Sequence, residues 1–76
     1  MKELREYLKE KRKSKGLTQQ NVAERLNIST QYYSLIEKGE RQESLNLSTL
    51  DKLAEIFGVP LSDLIAAERQ FSEKAS

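Results

Sequence analysis

Between Thr18 and Gly39 the sequence TQQNVAERLNISTQYYSLIEKG allows two short amphipathic helices and leaves almost nothing between them. Thr18 suits an N-cap, and Val22, Ala23 and Leu26 then share one face of the helix that follows. Ser29 suits a second N-cap, with Tyr33 and Ile36 turned inward and Gly39 supplying a left-handed stop. Only Asn27 and Ile28 remain between Leu26 and Ser29. Two helices joined so tightly cross at a steep angle, with Ile28 pinned between them. The rest of the chain has to pack around that corner.

Three further helices are predicted. The first spans Lys2 to Lys15, with Leu4, Tyr7, Leu8 and Arg12 on one face and a stop at Gly16. A polar loop, ERQESLN, follows Gly39. The fourth covers Leu47 to Phe57, with Leu47, Leu50, Leu53, Ala54 and Phe57 inward and Gly58 at its end. Pro60 opens the fifth, where Leu61, Leu64 and Ile65 recur at helical spacing. Nothing reads as a strand, a repeat or a linker. The expected fold class is all-α, a compact five-helix domain over residues 1–68. A tail, 69–76, can extend the fifth helix and aid dimerisation.

Seventy-six residues fit one domain, near the lower end of what folds without staples. The absence of Cys and His excludes disulfides and the usual zinc and iron ligand sets, so neither metal nor cofactor is expected. No apolar run approaches the ~20 residues that span a bilayer, and MKELREYLKE lacks a signal-peptide core, which makes the expected location cytoplasmic. Charge is uneven along the chain. Residues 1–16 hold seven basic and three acidic side chains, whereas residues 48–76 hold three and five. A positive end is compatible with a phosphate-facing side. Catalysis is not expected: Ser34 and Lys38 form an ordinary helical i, i+4 pair with no oxyanion element or enclosing pocket to go with it.

The order of these signals resembles the lambda-repressor-like family, the Xre, Cro and phage-repressor type of helix-turn-helix DNA-binding domain. The stretches that carry the resemblance are GLTQQNVAERLNIS, YYSLIEKGER and LSTLDKLAEIFGVPLSDL. With the first helix they cover about residues 3 to 66. The resemblance implies a helix-turn-helix at about residues 18–39 and binding to double-stranded operator DNA as a symmetric homodimer. It further implies regulation of transcription, with repression the expected sense, and no small-molecule ligand is evident. The chain departs from the family pattern in a slightly longer segment after Gly39 and in Lys11, where an apolar residue is common.

In such a motif the N-terminal turn of the second helix enters the major groove. With Tyr33 and Ile36 inward, Thr30, Gln31, Ser34, Leu35 and Lys38 fall toward the outer side. Gln31 suits adenine, whose N6 and N7 its amide can pair, a contact that discriminates by ~1–3 kcal/mol. Thr30 can donate to a base or a phosphate, and Leu35 suits a thymine methyl. Thr18 and Gln19 stand where free helix N–H groups can meet a phosphate, a use the family makes of a Gln at this position. Lys38 and Arg41 are expected to neutralise phosphates, although Glu40 and Glu43 oppose them. Tyr32 either lies along the DNA backbone or covers the turn.

Arg12 lies on the apolar face of the first helix, and Glu37 lies at the edge of the inward face of the third. Opposite charges turned toward one core should pair, since a buried charge left alone is costly. The family has an Arg–Glu pair at matching positions. The expectation is a structural salt bridge with no DNA-reading part. Leu64, Ala67 and Phe71 are expected at the dimer interface, the alternative for Phe71 being that it folds back on its own domain. A competing function is a protein-interaction module of the same fold, antitoxin or coactivator-like, without base readout.

Overall fold

In a computed structural model of the chain, residues 4–39 and 45–75 are described, and they form five helices. These are α1 (Glu6–Ser14), α2 (Gln19–Leu26), α3 (Thr30–Glu37), α4 (Leu47–Phe57) and α5 (Leu61–Ala75). No strand occurs among the described residues. The radius of gyration, 11.3 Å, equals the ~11 Å expected of one well-packed body of this length.

Side-chain caps set the starts of three helices. Thr18 Oγ1 accepts from the Asn21 N–H while Asn21 Oδ1 accepts from the Thr18 N–H, a reciprocal capping box that opens α2. Ser29 Oγ accepts from the Tyr32 N–H at 3.1 Å to open α3. Asn46 Oδ1 accepts from the Thr49 N–H at 2.8 Å to open α4. Ser29→Ala removes the side-chain cap at the start of α3, at a cost of about 1 kcal/mol. A thermal melt should show it as a Tm lower by roughly 4–8 °C. An unchanged Tm would mean that the cap contributes nothing.

The helix stops share a geometry. Gly16, Asn27 and Gly58 all have positive φ, and the next residue's N–H reaches back five residues, as Ile28 does to the Ala23 carbonyl at 3.0 Å. Asn27, at φ 64°, is the one described non-glycine residue in this region, and asparagine tolerates it better than other side chains. This left-handed residue folds α2 back onto α3 within three residues. Ile28 is half-buried against the core between them.

The core takes Leu8 from α1, Val22, Ala23 and Leu26 from α2, and Tyr33 and Ile36 from α3. To these α4 adds Leu50, Leu53, Ala54 and Phe57, and α5 adds Leu64. Two inward expectations are corrected. Leu4 is 50% exposed, because α1 begins only at Glu6 and the i, i+4 relation to Leu8 does not reach outside the helix. Leu47 is 60% exposed, and the inward place belongs to Leu45, held by its N–H to the Glu68 carboxylate at 2.7 Å.

Leu64 and Phe71, expected at a dimer interface, lie inside the fold of the single chain. Leu64 is fully buried and Phe71 is 6% exposed, so both side chains are spent within their own subunit. Phe71 covers the Arg5 guanidinium, with 4.2 Å from the guanidinium carbon to the ring centroid. Ala67 is half-buried. α5 runs unbroken through residue 68 to Ala75.

Candidate nucleic-acid interface

The α2–α3 corner holds α3 by one side and leaves the other open. Tyr33 and Ile36 are buried, while Thr30 and Gln31, in the first turn, are exposed. One turn later Ser34 and Leu35 are half-buried, and Lys38 is exposed. Leu35 keeps part of its surface toward solvent. Tyr32 is half-buried and packs against the core. Arg41 lies outside the described residues.

The start of α2 is tied to the end of α3 through one carboxylate. Arg12 Nε donates to Glu37 Oε2 at 2.7 Å, and Arg12 Nη2 donates to Oε1 at 3.4 Å. Gln19 Nε2 donates to the same Oε1 at 3.0 Å, and Arg12 Nη1 donates to the Leu17 carbonyl at 3.1 Å. Three helices thus meet at Glu37. Burial acts to raise the Glu37 carboxyl, but the hydrogen bonds from Arg12 and Gln19 outweigh it and hold the group below the usual glutamate range. The same contact with Glu37 raises the Arg12 guanidinium.

The Tyr33 hydroxyl is buried beside this network without a hydrogen bond of full geometry. Its pKa is pushed well up, first by burial and then by the Glu37 charge. Gln19 was expected to offer its amide to a phosphate. One N–H of its amide is engaged by Glu37, and the amide has a second N–H to offer.

A recess of about 240 Å³ opens between the first turns of α1, the start of α2 and the end of α3. Lys9, Arg12, Gln19 and Lys38 line it together with Glu37. The corner therefore carries two surfaces. The first is a polar helix end with exposed Thr30 and Gln31, and the second is a recess flanked by the exposed amines of Lys9 and Lys38. Lys9 was missed in the sequence, although it is the one lysine of α1 that lies a turn before Arg12 on the same side.

A second buried ion pair was missed altogether. Arg5, 1% exposed, donates from Nε to Glu68 Oε1 at 3.0 Å and from Nη2 to Oε2 at 3.1 Å. Its Nη1 donates to the Ile36 carbonyl at 2.7 Å, and its backbone N–H donates to the Glu37 carbonyl at 2.8 Å. Tyr7 Oη donates to Glu68 Oε1 at 2.6 Å. Burial, followed by the bond to Glu68, raises the Tyr7 hydroxyl far above its ordinary value. The sequence held half of the signal. Glu68 lies four after Leu64 and three before Phe71, on an inward face, whereas Arg5 precedes α1 and has no helical phase.

The helix-turn-helix family profile matches residues 8–64, three quarters of the chain and all of the corner. The chain belongs to the lambda-repressor-like helix-turn-helix family. Among its relatives is an uncharacterized HTH-type transcriptional regulator of Methanocaldococcus jannaschii, 37% identical over 65 residues, covering 86% of this chain and 96% of the relative. The cryptic phage CTXphi transcriptional repressor RstR of Vibrio cholerae is 32% identical over 68 residues, covering 88% of this chain and 60% of the repressor. The uncharacterized HTH-type transcriptional regulator YqaF of Bacillus subtilis is 42% identical over 45 residues, or 59% of each chain. The match thus spans about three fifths of the Vibrio and Bacillus relatives and nearly all of the archaeal one. No solved structure matches the chain.

Proposed function

We propose that this protein is a transcription regulator that binds double-stranded DNA in a sequence-dependent way, as a homodimer on a palindromic operator, and represses from it. One observation carries the reading: Thr30 and Gln31 stand exposed in the first turn of α3 while the far side of that helix is locked into the core. A helix end presented in this manner fits the major groove, where the Gln31 amide can pair with adenine. Ser34 and Leu35 follow one turn behind, at a depth suited to a sugar or a thymine methyl.

The backbone is met on either side. Thr18 and the free N–H groups of α2 offer donors to one phosphate, and the recess flanked by Lys9 and Lys38 suits a neighbour. Each phosphate neutralised adds ~0.9 to the slope of log affinity against log salt. A phosphate contact is assigned to Arg41 as well, and Tyr32 lies along the same track. A single short helix buries too little surface for specific affinity, so two copies on half-sites about one helical turn apart are needed. Ala67 remains available to that pairing. Repression is the sense suggested by the likeness to RstR.

Selection from a pool of random duplexes, read by electrophoretic shift, tests the reading. The expected result is an enriched inverted repeat whose half-sites lie ~10 bp apart, retarded by two copies of the chain. A pool that stays random after repeated rounds would overturn the reading and favour an interaction module of the same fold.

A further inference from the structure

We infer that Arg5 and Glu68 act as positioning residues for the DNA-reading helix, setting the inclination of α3 from its C-terminal end. The inference rests on the duplex-binding reading above and adds to it two residues outside the matched segment 8–64.

The last turn of any helix leaves carbonyl groups without an intrahelical donor, and the partial negative charge of the helix dipole collects there. Here the Ile36 carbonyl accepts from Arg5 Nη1 and the Glu37 carbonyl accepts from the Arg5 backbone N–H. A fully buried guanidinium therefore closes the end of α3, from a residue that precedes α1.

That guanidinium is in turn held from α5. Glu68 grips it through both carboxylate oxygens, a fork geometry that fixes direction as well as distance. Phe71, one turn further along α5, lies over the guanidinium face. The Glu68 carboxylate also accepts from Tyr7 Oη and from the Leu45 N–H. The end of α3 and the approach to α4 are thus fastened to one side chain of α5. Loss of that anchor leaves α3 held by the Ser29 cap and by the Glu37 contacts with Arg12 and Gln19, so its inclination shifts toward those remaining ties. That shift carries Gln31 and Leu35 across the groove.

The measurement compares the full chain with Glu68→Gln, each on the duplex selected above and on a random-sequence duplex. It is made where far-UV circular dichroism shows both proteins folded. A partly unfolded population lowers both affinities by one factor. A tilted α3 lowers the sequence-dependent affinity alone, because non-specific binding comes from phosphate contacts that remain. The expected result is an affinity about tenfold lower for the selected duplex, the size of one lost base contact, with little change on random DNA. Amide shifts along α3 and faster hydrogen exchange at Leu45 should accompany it.

If Glu68→Gln melts below the assay temperature, Tyr7→Phe decides the matter. It removes one of the bonds to Glu68, and a two- to threefold loss of discrimination is expected. Unchanged discrimination in whichever variant is folded overturns the inference, even though the parent chain selects a duplex normally. A parent chain that selects no duplex defeats the binding reading itself, a result plainly distinct from the first.

Discussion

Arg5→Met is expected to leave most of the chain unfolded at physiological temperature. The substitution keeps a long unbranched stem beneath Phe71 but strands the Glu68 carboxylate, which is 4% exposed, without its cation. Breaking a buried pair from one side costs about 3–5 kcal/mol. The Ile36 carbonyl also loses its donor from Arg5. Domains in general have only about 5–15 kcal/mol of stability, and one this small belongs at the lower end. Urea unfolding followed by circular dichroism should show the midpoint falling toward zero. The double variant Arg5→Met with Glu68→Leu should recover part of the loss, since no charge is then buried. Recovery stays partial because the Tyr7 hydroxyl and the Leu45 N–H lose their acceptor. A single variant with the parent's midpoint would show that the pair does not hold the ends of the chain.

Glu37→Gln is the second large loss, again about 3–5 kcal/mol, with the lower figure favoured because Arg12 keeps some contact with water. The substitution leaves one acceptor oxygen where two gather Arg12 and Gln19, and it removes the charge opposite a partly buried guanidinium. It also changes how stability depends on pH. The folded-state carboxyl lies below its unfolded value, so its contribution is complete above the ordinary glutamate value of ~4.3. The contribution is lost as the pH falls below that value and through the folded one. Urea midpoints of the parent should therefore hold steady from neutral pH to about 5 and then decline. In Glu37→Gln the midpoint starts lower and its acid decline is shallower. Parallel declines in parent and variant would remove Glu37 from the acid response.

The parts of the fold that were legible in the sequence share a physical cause: they depend on neighbours along the chain. The caps at Thr18 and Ser29, the span of α4 and the burial of Val22, Leu26, Tyr33 and Ile36 all follow from local spacing. The Arg12–Glu37 pair was legible because each charge sits on an apolar face, and a buried charge needs a partner. The same rule applied to Arg5 and Glu68, but Arg5 lies ahead of α1, where no helical phase assigns it a face. Leu4 was misplaced for the same reason.

Leu45 and Leu47 illustrate a different difficulty. Both flank the Asn46 cap, and spacing alone favoured the residue inside the helix. A long-range bond from Leu45 to Glu68 reversed that order. Phe71 looked like surface awaiting a partner because its actual neighbour, Arg5, lies at the other end of the sequence. At the candidate interface, the outward placement of Thr30 and Gln31 follows from the helix wheel. The diversion of the Gln19 amide to Glu37 does not, since it depends on how α1, α2 and α3 meet.

The most direct test of base reading at the head of α3 is the binding of Gln31→Ala to the selected duplex and to duplexes altered one base pair at a time. Gln31 is exposed, so the variant should melt with the parent. Its preference should relax at one position of each half-site, by ~1–3 kcal/mol, and stay intact elsewhere. A folded Gln31→Ala that ranks every duplex as the parent does would contradict the account.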